Sequence, residues 1–167
     1  MENELPKRKP NRLRKFDYSS NGAYFVTICI QHRKCILGTI VGDGFPVPKL
    51  TVYGEIVDDL INEISLKYDG VCVDKYVIMP NHIHMLLTIS CDSGTGNPSP
   101  TISKVMGWLK YTATKQINMV CHVSGRSIFQ RSFYDHIIRN ENDYNEIWQY
   151  IENNPAKWQK DKFYIGD

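Results

Sequence analysis

Apolar residues change period several times along this chain, and each change marks an element. From Ala23 to Ile30 the run Ala-Tyr-Phe-Val-Thr-Ile-Cys-Ile is β-branched and aromatic, which predicts a buried first strand. Cys35 to Ile40 and Val47 to Leu50 flank Gly42-Asp43-Gly44-Phe45-Pro46, the turn chemistry of a small hairpin. From Val52 to about Lys67 the period becomes helical. Val52, Ile56, Val57, Leu60, Ile61 and Ile64 share a face, Asp58, Asp59, Asn62 and Glu63 stay wet, and Asp69-Gly70 ends the helix. Val71 to Met79 and His82 to Ile89 read as two more strands, with Pro80-Asn81 as a tight break between them.

The second half repeats the theme. Cys91 to Pro100 is a low-complexity surface loop. Thr101 to about Met119 carries Ile102, Val105, Met106, Leu109, Ala113 and Ile117, a second amphipathic helix. Ile128-Phe129 begins a short strand that is expected to pass through Arg131-Ser132-Phe133. Asn142 or Asp143 can cap a last helix through Ile147, Trp148 and Ile151, which Asn153-Asn154-Pro155 stops. Strand, hairpin, helix, strand, strand, helix, strand, helix is an α+β order. Without the hairpin and the last helix it is the split βαβ pattern of a ferredoxin-like domain, with a central antiparallel sheet. Such a sheet gives one face to helices and can leave the other open for ligand.

Composition narrows this little. The chain has 167 residues, 42% hydrophobic and 23% charged, enough for one domain: an arm over residues 1–20 and a single domain over 21–167. Net charge is only +2, but Lys7, Arg8, Lys9, Arg12, Arg14 and Lys15 crowd the first fifteen residues. That arm reads either as a phosphate-neutralising extension or as a solvated tail. Five cysteines (Cys29, Cys35, Cys72, Cys91 and Cys121) without CxxC spacing read as reduced. Cys29 and Cys72, in apolar strand-like runs, are expected to be structural. With no signal-peptide core and no run of transmembrane length, a cytoplasmic protein without membrane contact is expected.

The chemistry concentrates in Pro80-Asn81-His82-Ile83-His84, ahead of Met85-Leu86-Leu87. Strand side chains alternate, so His82 and His84 face one way and Ile83 and Met85 the other. Two imidazoles on one sheet face are half of a metal site, although His-x-His in a strand is commonly structural. In the last helix Tyr150 and Asn154, four apart, share a face beside Glu146, away from the stripe of Tyr144, Ile147, Trp148 and Ile151.

These segments resemble the HUH single-tyrosine transposases, in particular the REP-associated tyrosine transposase branch. Matching pieces are Arg12-Leu13-Arg14-Lys15-Phe16-Asp17-Tyr18, Gly22-Ala23-Tyr24-Phe25-Val26-Thr27, Met79 to His84, Phe129 to Arg139 and Tyr150 to Pro155, in the expected order. The resemblance implies an HUH endonuclease palm with a C-terminal helix carrying the tyrosine. It implies a metal-dependent single-stranded DNA endonuclease and strand transferase acting near hairpins through a 5′-phosphotyrosine. Tyr150 would be the nucleophile, and His82, His84 and Asn154 the ligands of Mg²⁺ or Mn²⁺. Many relatives carry Gln at the last position, one methylene longer. One tyrosine supports one cleavage at a time, so transposition would need a homodimer or sequential turnover.

Weaker DNA-contact candidates are Arg12, Arg14, Lys15, Lys104, Lys110 and Arg131. Lys115 extends the charge of the second helix, which lines DNA or merely solvates that face. His136 is either near the site or held by backbone. Tyr111 and Tyr134 stack on bases or sit half-buried, and His32 and His122 are loop residues. Three rivals stand beside this reading: a ferredoxin-like nucleic-acid-binding module without cleavage, a His-x-His-x-His nucleotide hydrolase, and a domesticated repeat-processing nuclease. The RNP-type aromatic pattern is absent and Leu86 occupies the third position of the His-x-His-x-His strand, which weigh against the first two.

Overall fold

Alternation in two adjacent strands builds the molecule. The computed structural model describes residues 22–90 and 100–165. Strands β1 (Gly22–Cys29) and β5 (His82–Ile89) pair antiparallel along their whole length, from Gly22 opposite Ile89 to Cys29 opposite His82. β4 (Val71–Ile78) pairs with the free side of β5, and β6 (Tyr134–Ile138) with that of β1, giving the order β4-β5-β1-β6. That is the ferredoxin-like arrangement, and β2 (Gly38–Val41) with β3 (Val47–Leu50) forms a separate hairpin.

Tyr24, Val26 and Ile28 on β1 and Ile83, Met85 and Leu87 on β5 are completely buried. They form one cluster with Val57, Leu60, Ile61 and Ile64 of α1 (Val52–Lys67) and Val105, Met106, Leu109, Ala113 and Ile117 of α2 (Ile102–Val120). Both helices start on a threonine whose side chain accepts from a first-turn amide, Thr51 from Gly54 N–H and Thr101 from Lys104 N–H. Gly70, after α1, has φ of +76°, and a side chain there would meet the Ser90 carbonyl.

The other sheet face carries Phe25, Thr27, His82, His84 and, on β6, Tyr134 and His136. It is covered by α3 (Glu141–Asn153) and a 3₁₀ segment, Pro155–Lys160. A bulge between Val73 and Lys75 shifts the β4 register by one, so Lys75 stands opposite Leu86 on this face. Its Nζ reaches Glu152 Oε1 at 3.0 Å and lies 4.5 Å from the Trp148 ring, which ties α3 to the sheet. Ile151 is the one fully buried residue of α3.

Three expectations need correction. The last strand occupies Tyr134–Ile138 rather than 128–133. Ile128 and Phe129 are buried as strand residues would be, but Phe129 makes only an isolated bridge to Ile30. The chain then turns where Lys110 Nζ donates to the carbonyls of Gln130, Arg131 and Ser132. The cap of α3 is Asn140, whose side chain accepts from Asp143 N–H at 2.9 Å. Cys72 is exposed because it falls on the outward side of β4, whereas Cys29 is buried. The arm over 1–20 and most of the 91–100 loop lie outside the described residues.

Ile83 is fully buried in the core cluster that α1 and α2 join, while its neighbours face the opposite way. Ile83→Ala is expected to lower stability by about 2–5 kcal/mol, from lost burial plus a cavity. Urea unfolding followed by far-UV circular dichroism checks this, and a loss under about 0.5 kcal/mol would contradict the packing described.

Candidate active site

His82 and His84 are 0% and 1% exposed, a cost that buried imidazoles bear only when their nitrogens are occupied. For His82 the orientation is assigned through Asn81. The Asn81 amide donates to the carbonyls of Arg33 (3.1 Å) and Phe163 (2.8 Å), so its Oδ1 accepts the His82 Nδ1–H at 2.8 Å. His82 Nε2 therefore carries a lone pair. His84 Nδ1 bonds Thr27 Oγ1 at 2.8 Å, and the Tyr150 hydroxyl donates to His84 Nε2 at 3.3 Å. We assign His84 the same tautomer. Two Nε2 lone pairs then face each other across 3.1 Å.

Facing lone pairs repel unless a proton or a cation lies between them. Nitrogens bound at right angles to an octahedral ion, each about 2.1 Å from it, stand roughly 3 Å apart. Asp161 brings a carboxylate oxygen within 4.8 Å of both imidazoles. Asn154, the C-cap of α3, donates from Nδ2 to Asp161 Oδ2 at 3.1 Å, while its Oδ1 is buried without a partner. Two neutral imidazoles, a carboxylate and an orphaned amide oxygen suit a divalent cation with open positions better than a closed thiolate site. Asp161 Oδ1 also accepts the Phe163 N–H at 2.7 Å, and the Phe163 ring lies tilted against His82, 4.6 Å between centroids.

Sequence reasoning missed Asp161. It lies beyond Pro155, in a segment without periodicity, and only the folding back of residues 155–163 brings it to the sheet. Asn81 was visible in the motif but not its work, which is to aim His82.

Burial drives the electrostatics. It lowers His82 to about 4 and, with the charge of His82, holds His84 well below 6.5, so both are neutral in ordinary buffers. The Tyr150 phenol is raised by burial and then by Asp161, against a smaller opposite effect of the Asn154 amide. The phenol borders a cleft of about 620 Å³ lined by Phe25, His136, Asp143, Asn154, Asp161 and three lysines, Lys157, Lys160 and Lys162.

Residues 20–154 match the IS200-like transposase family. The chain belongs to that family. It is thus a transposase-class, DNA-processing enzyme in general terms. Over 95% of its length it is 31% identical to an uncharacterised protein of Haemophilus influenzae, 93% of which is covered. A second Haemophilus influenzae protein, provisionally named a REP-associated tyrosine transposase, is 26% identical over 84% of this chain and 74% of its own. The fold resembles a solved REP-associated tyrosine transposase bound to a REP hairpin, with a TM-score of 0.59 and 22% identity over 87% of this chain and 73% of that one.

Among the residues singled out from the sequence of this transposase-family chain, His82, His84, Tyr150 and Asn154 come together. His136 lines the same cleft, while Glu146 is exposed and does not. Lys110 is committed to three carbonyls, and α2, which carries it and Lys104, covers the opposite sheet face. Arg131 is exposed at the turn before β6, and Arg12, Arg14 and Lys15 lie outside the described residues. Among the described residues no helix is long and apolar enough to cross a membrane.

A depressed folded-state pKa means the unfolded chain takes up protons first as pH falls. The stability contributed by neutral His82 is complete above 6.5 and is lost as pH drops from there through about 4. Thermal melts of metal-free protein should show a plateau above pH 7 and a falling Tm between 6.5 and 4. A flat profile over that window would remove the buried neutral pair.

Proposed function

We propose that this transposase-family chain is a metal-dependent single-stranded DNA endonuclease and strand transferase with Tyr150 as nucleophile. The observation that carries the reading is the contact of the Tyr150 hydroxyl with His84 Nε2 at 3.3 Å, beside His82 and Asp161 and at the edge of a lysine-lined cleft. His82, His84 and Asp161 would hold the cation, Mg²⁺ or Mn²⁺, and the orphaned Oδ1 of Asn154 offers a further oxygen ligand. Such a cation neutralises and orients a phosphodiester.

The chain's own groups do the rest. Tyr150 Oη attacks phosphorus, an O–P bond forms, and the P–O3′ bond breaks. The 5′ phosphate stays on the tyrosine while a free 3′-OH departs, and attack by another 3′-OH reverses the step without ATP because bond energy is kept. Phe25 packs edge-on against the Tyr150 ring, 5.8 Å between centroids, and steadies the phenol. Lys157, Lys160 and Lys162 can neutralise neighbouring phosphates, and the basic arm over 1–20 can add to this. That the solved relative is bound to a REP hairpin supports hairpin-bearing DNA as the substrate.

The test uses single-stranded oligonucleotides, each carrying one palindrome from the DNA flanking the gene, with Mn²⁺. Wild-type protein should form an SDS-resistant adduct with the 5′-phosphate fragment. Tyr150→Phe should lose the adduct and keep hairpin binding. An adduct surviving in Tyr150→Phe would assign the nucleophile elsewhere. On the metal side, His82→Ala should abolish Mn²⁺ binding in calorimetry, and Asn154→Ala should weaken it about 10–100-fold. Unchanged Mn²⁺ titration in His82→Ala would remove the metal site.

A further inference from the structure

A second polar pair stands in the same cleft, on the far side of β1 from the two buried histidines. His136 on β6 lies opposite Phe25 in the β1–β6 register, as His84 on β5 lies opposite Thr27. The His136 Nε2–H donates to Asp143 at 2.9 Å and 3.2 Å, to one oxygen and then the other. Asp143 sits in the first turn of α3 and also accepts the Arg139 amide at 3.3 Å, so it does not swing freely. With Nε2 occupied, the remaining nitrogen of His136 is Nδ1, which has no partner among the described residues. The His136 side chain is 53% exposed, and it lines the cleft together with Tyr150.

In an in-line displacement the attacking and leaving oxygens stand on opposite sides of phosphorus. Tyr150 directs its hydroxyl toward His84, on β5. β5 and β6 flank β1, two strand spacings or roughly 10 Å apart, and the two-residue offset between Thr27 and Phe25 adds about 7 Å along the strands, so His84 and His136 stand roughly 12 Å apart. A phosphodiester with a hydrogen bond at each end fits in that span. The group facing the leaving oxygen would then belong to β6, whose outward face carries Tyr134 and His136, and of these two His136 lines the cleft with Tyr150.

We propose that His136 is the general acid of strand cleavage, with Asp143 as the positioning residue that fixes its ring. This rests on the nucleophile assignment above. As the Tyr150 Oη–P bond forms, the phenolic proton passes to cleft water. As the P–O3′ bond breaks, the His136 Nδ1 proton goes to O3′, leaving neutral imidazole and a free 3′-OH. On rejoining, the same nitrogen takes the proton from the attacking 3′-OH.

A leaving group that needs no proton separates this role from a structural one. Two substrates are compared in single-turnover adduct formation with Mn²⁺, at the cleavage position mapped for the wild type. One is the ordinary oligonucleotide, and the other has sulfur in place of the bridging 3′ oxygen. His136→Gln should slow the oxygen substrate about 10²–10⁴-fold, the usual contribution of a general acid. It should leave the 3′-sulfur substrate cleaved at the wild-type rate. Asp143→Asn should show the same selective rescue with a smaller loss. Hairpin binding and far-UV circular dichroism of both variants report folding. Equal slowing on both substrates, or no slowing on either, would overturn the proposal. Failure of the wild type to form any adduct would instead sink the nucleophile assignment on which it rests.

Discussion

The period-two alternation of β5, enforced by partners on both sides, is the constraint on which this molecule depends. β5 is paired with β4 along one edge and β1 along the other, so its register cannot slip without breaking both ladders. With Ile83, Met85 and Leu87 buried under α1 and α2, His82, His84 and Leu86 must stand on the opposite face. A one-residue slip would put two imidazoles into the apolar core. Hydrophobic burial on one side of the strand therefore positions the polar chemistry on the other.

That constraint delivers two imidazoles but not a site. The aim of each ring comes from a polar neighbour. Thr27 sits directly across from His84 in the β1–β5 register and holds its Nδ1. Asn81, at the turn into β5, gathers the Arg33 and Phe163 carbonyls and holds the Nδ1 of His82. One amide thus ties the turn after β1, the start of β5 and the C-terminal segment to a single imidazole. The fourth wall is α3, which buries little of itself and is fixed to the sheet by Ile151, Trp148 and the Lys75–Glu152 pair. Exposed ion pairs of that kind contribute at most about 1 kcal/mol, so the buried Ile151 is the firmer of these attachments.

The cleft thus holds two acid–base systems of different character. His82 and His84 are buried, neutral and turned toward Asp161, an arrangement suited to a cation. His136 is half exposed, paired with a carboxylate and left with one nitrogen for the cleft. Tyr150 stands between them, edge-on to Phe25, its hydroxyl on the side of the buried pair. The two systems are separated by one strand, β1.

Much of this was legible from local pattern because local pattern is what strands and helices obey. Val52–Lys67 and His82–Ile89 read directly from their periods, and the shared face of His82 and His84 follows from strand geometry alone. The placing of Tyr150 and Asn154 four apart at the end of a helix was equally local. Where local signals competed, the tertiary structure decided. Ile128 and Phe129 look like a strand because they are buried, yet Lys110 gathers the carbonyls that follow and delays the strand to Tyr134. The bulge at Val73/Lys75 turned Lys75 toward α3, which no alternation count predicts. Asp161 joined the histidines only because the chain reverses after Pro155, and His136 met Asp143 only because β6 and α3 flank one cleft. Strand and helix periods determined which residues face which way. Which of them meet was decided by contacts between segments far apart in the chain, whose energies no short window of sequence contains.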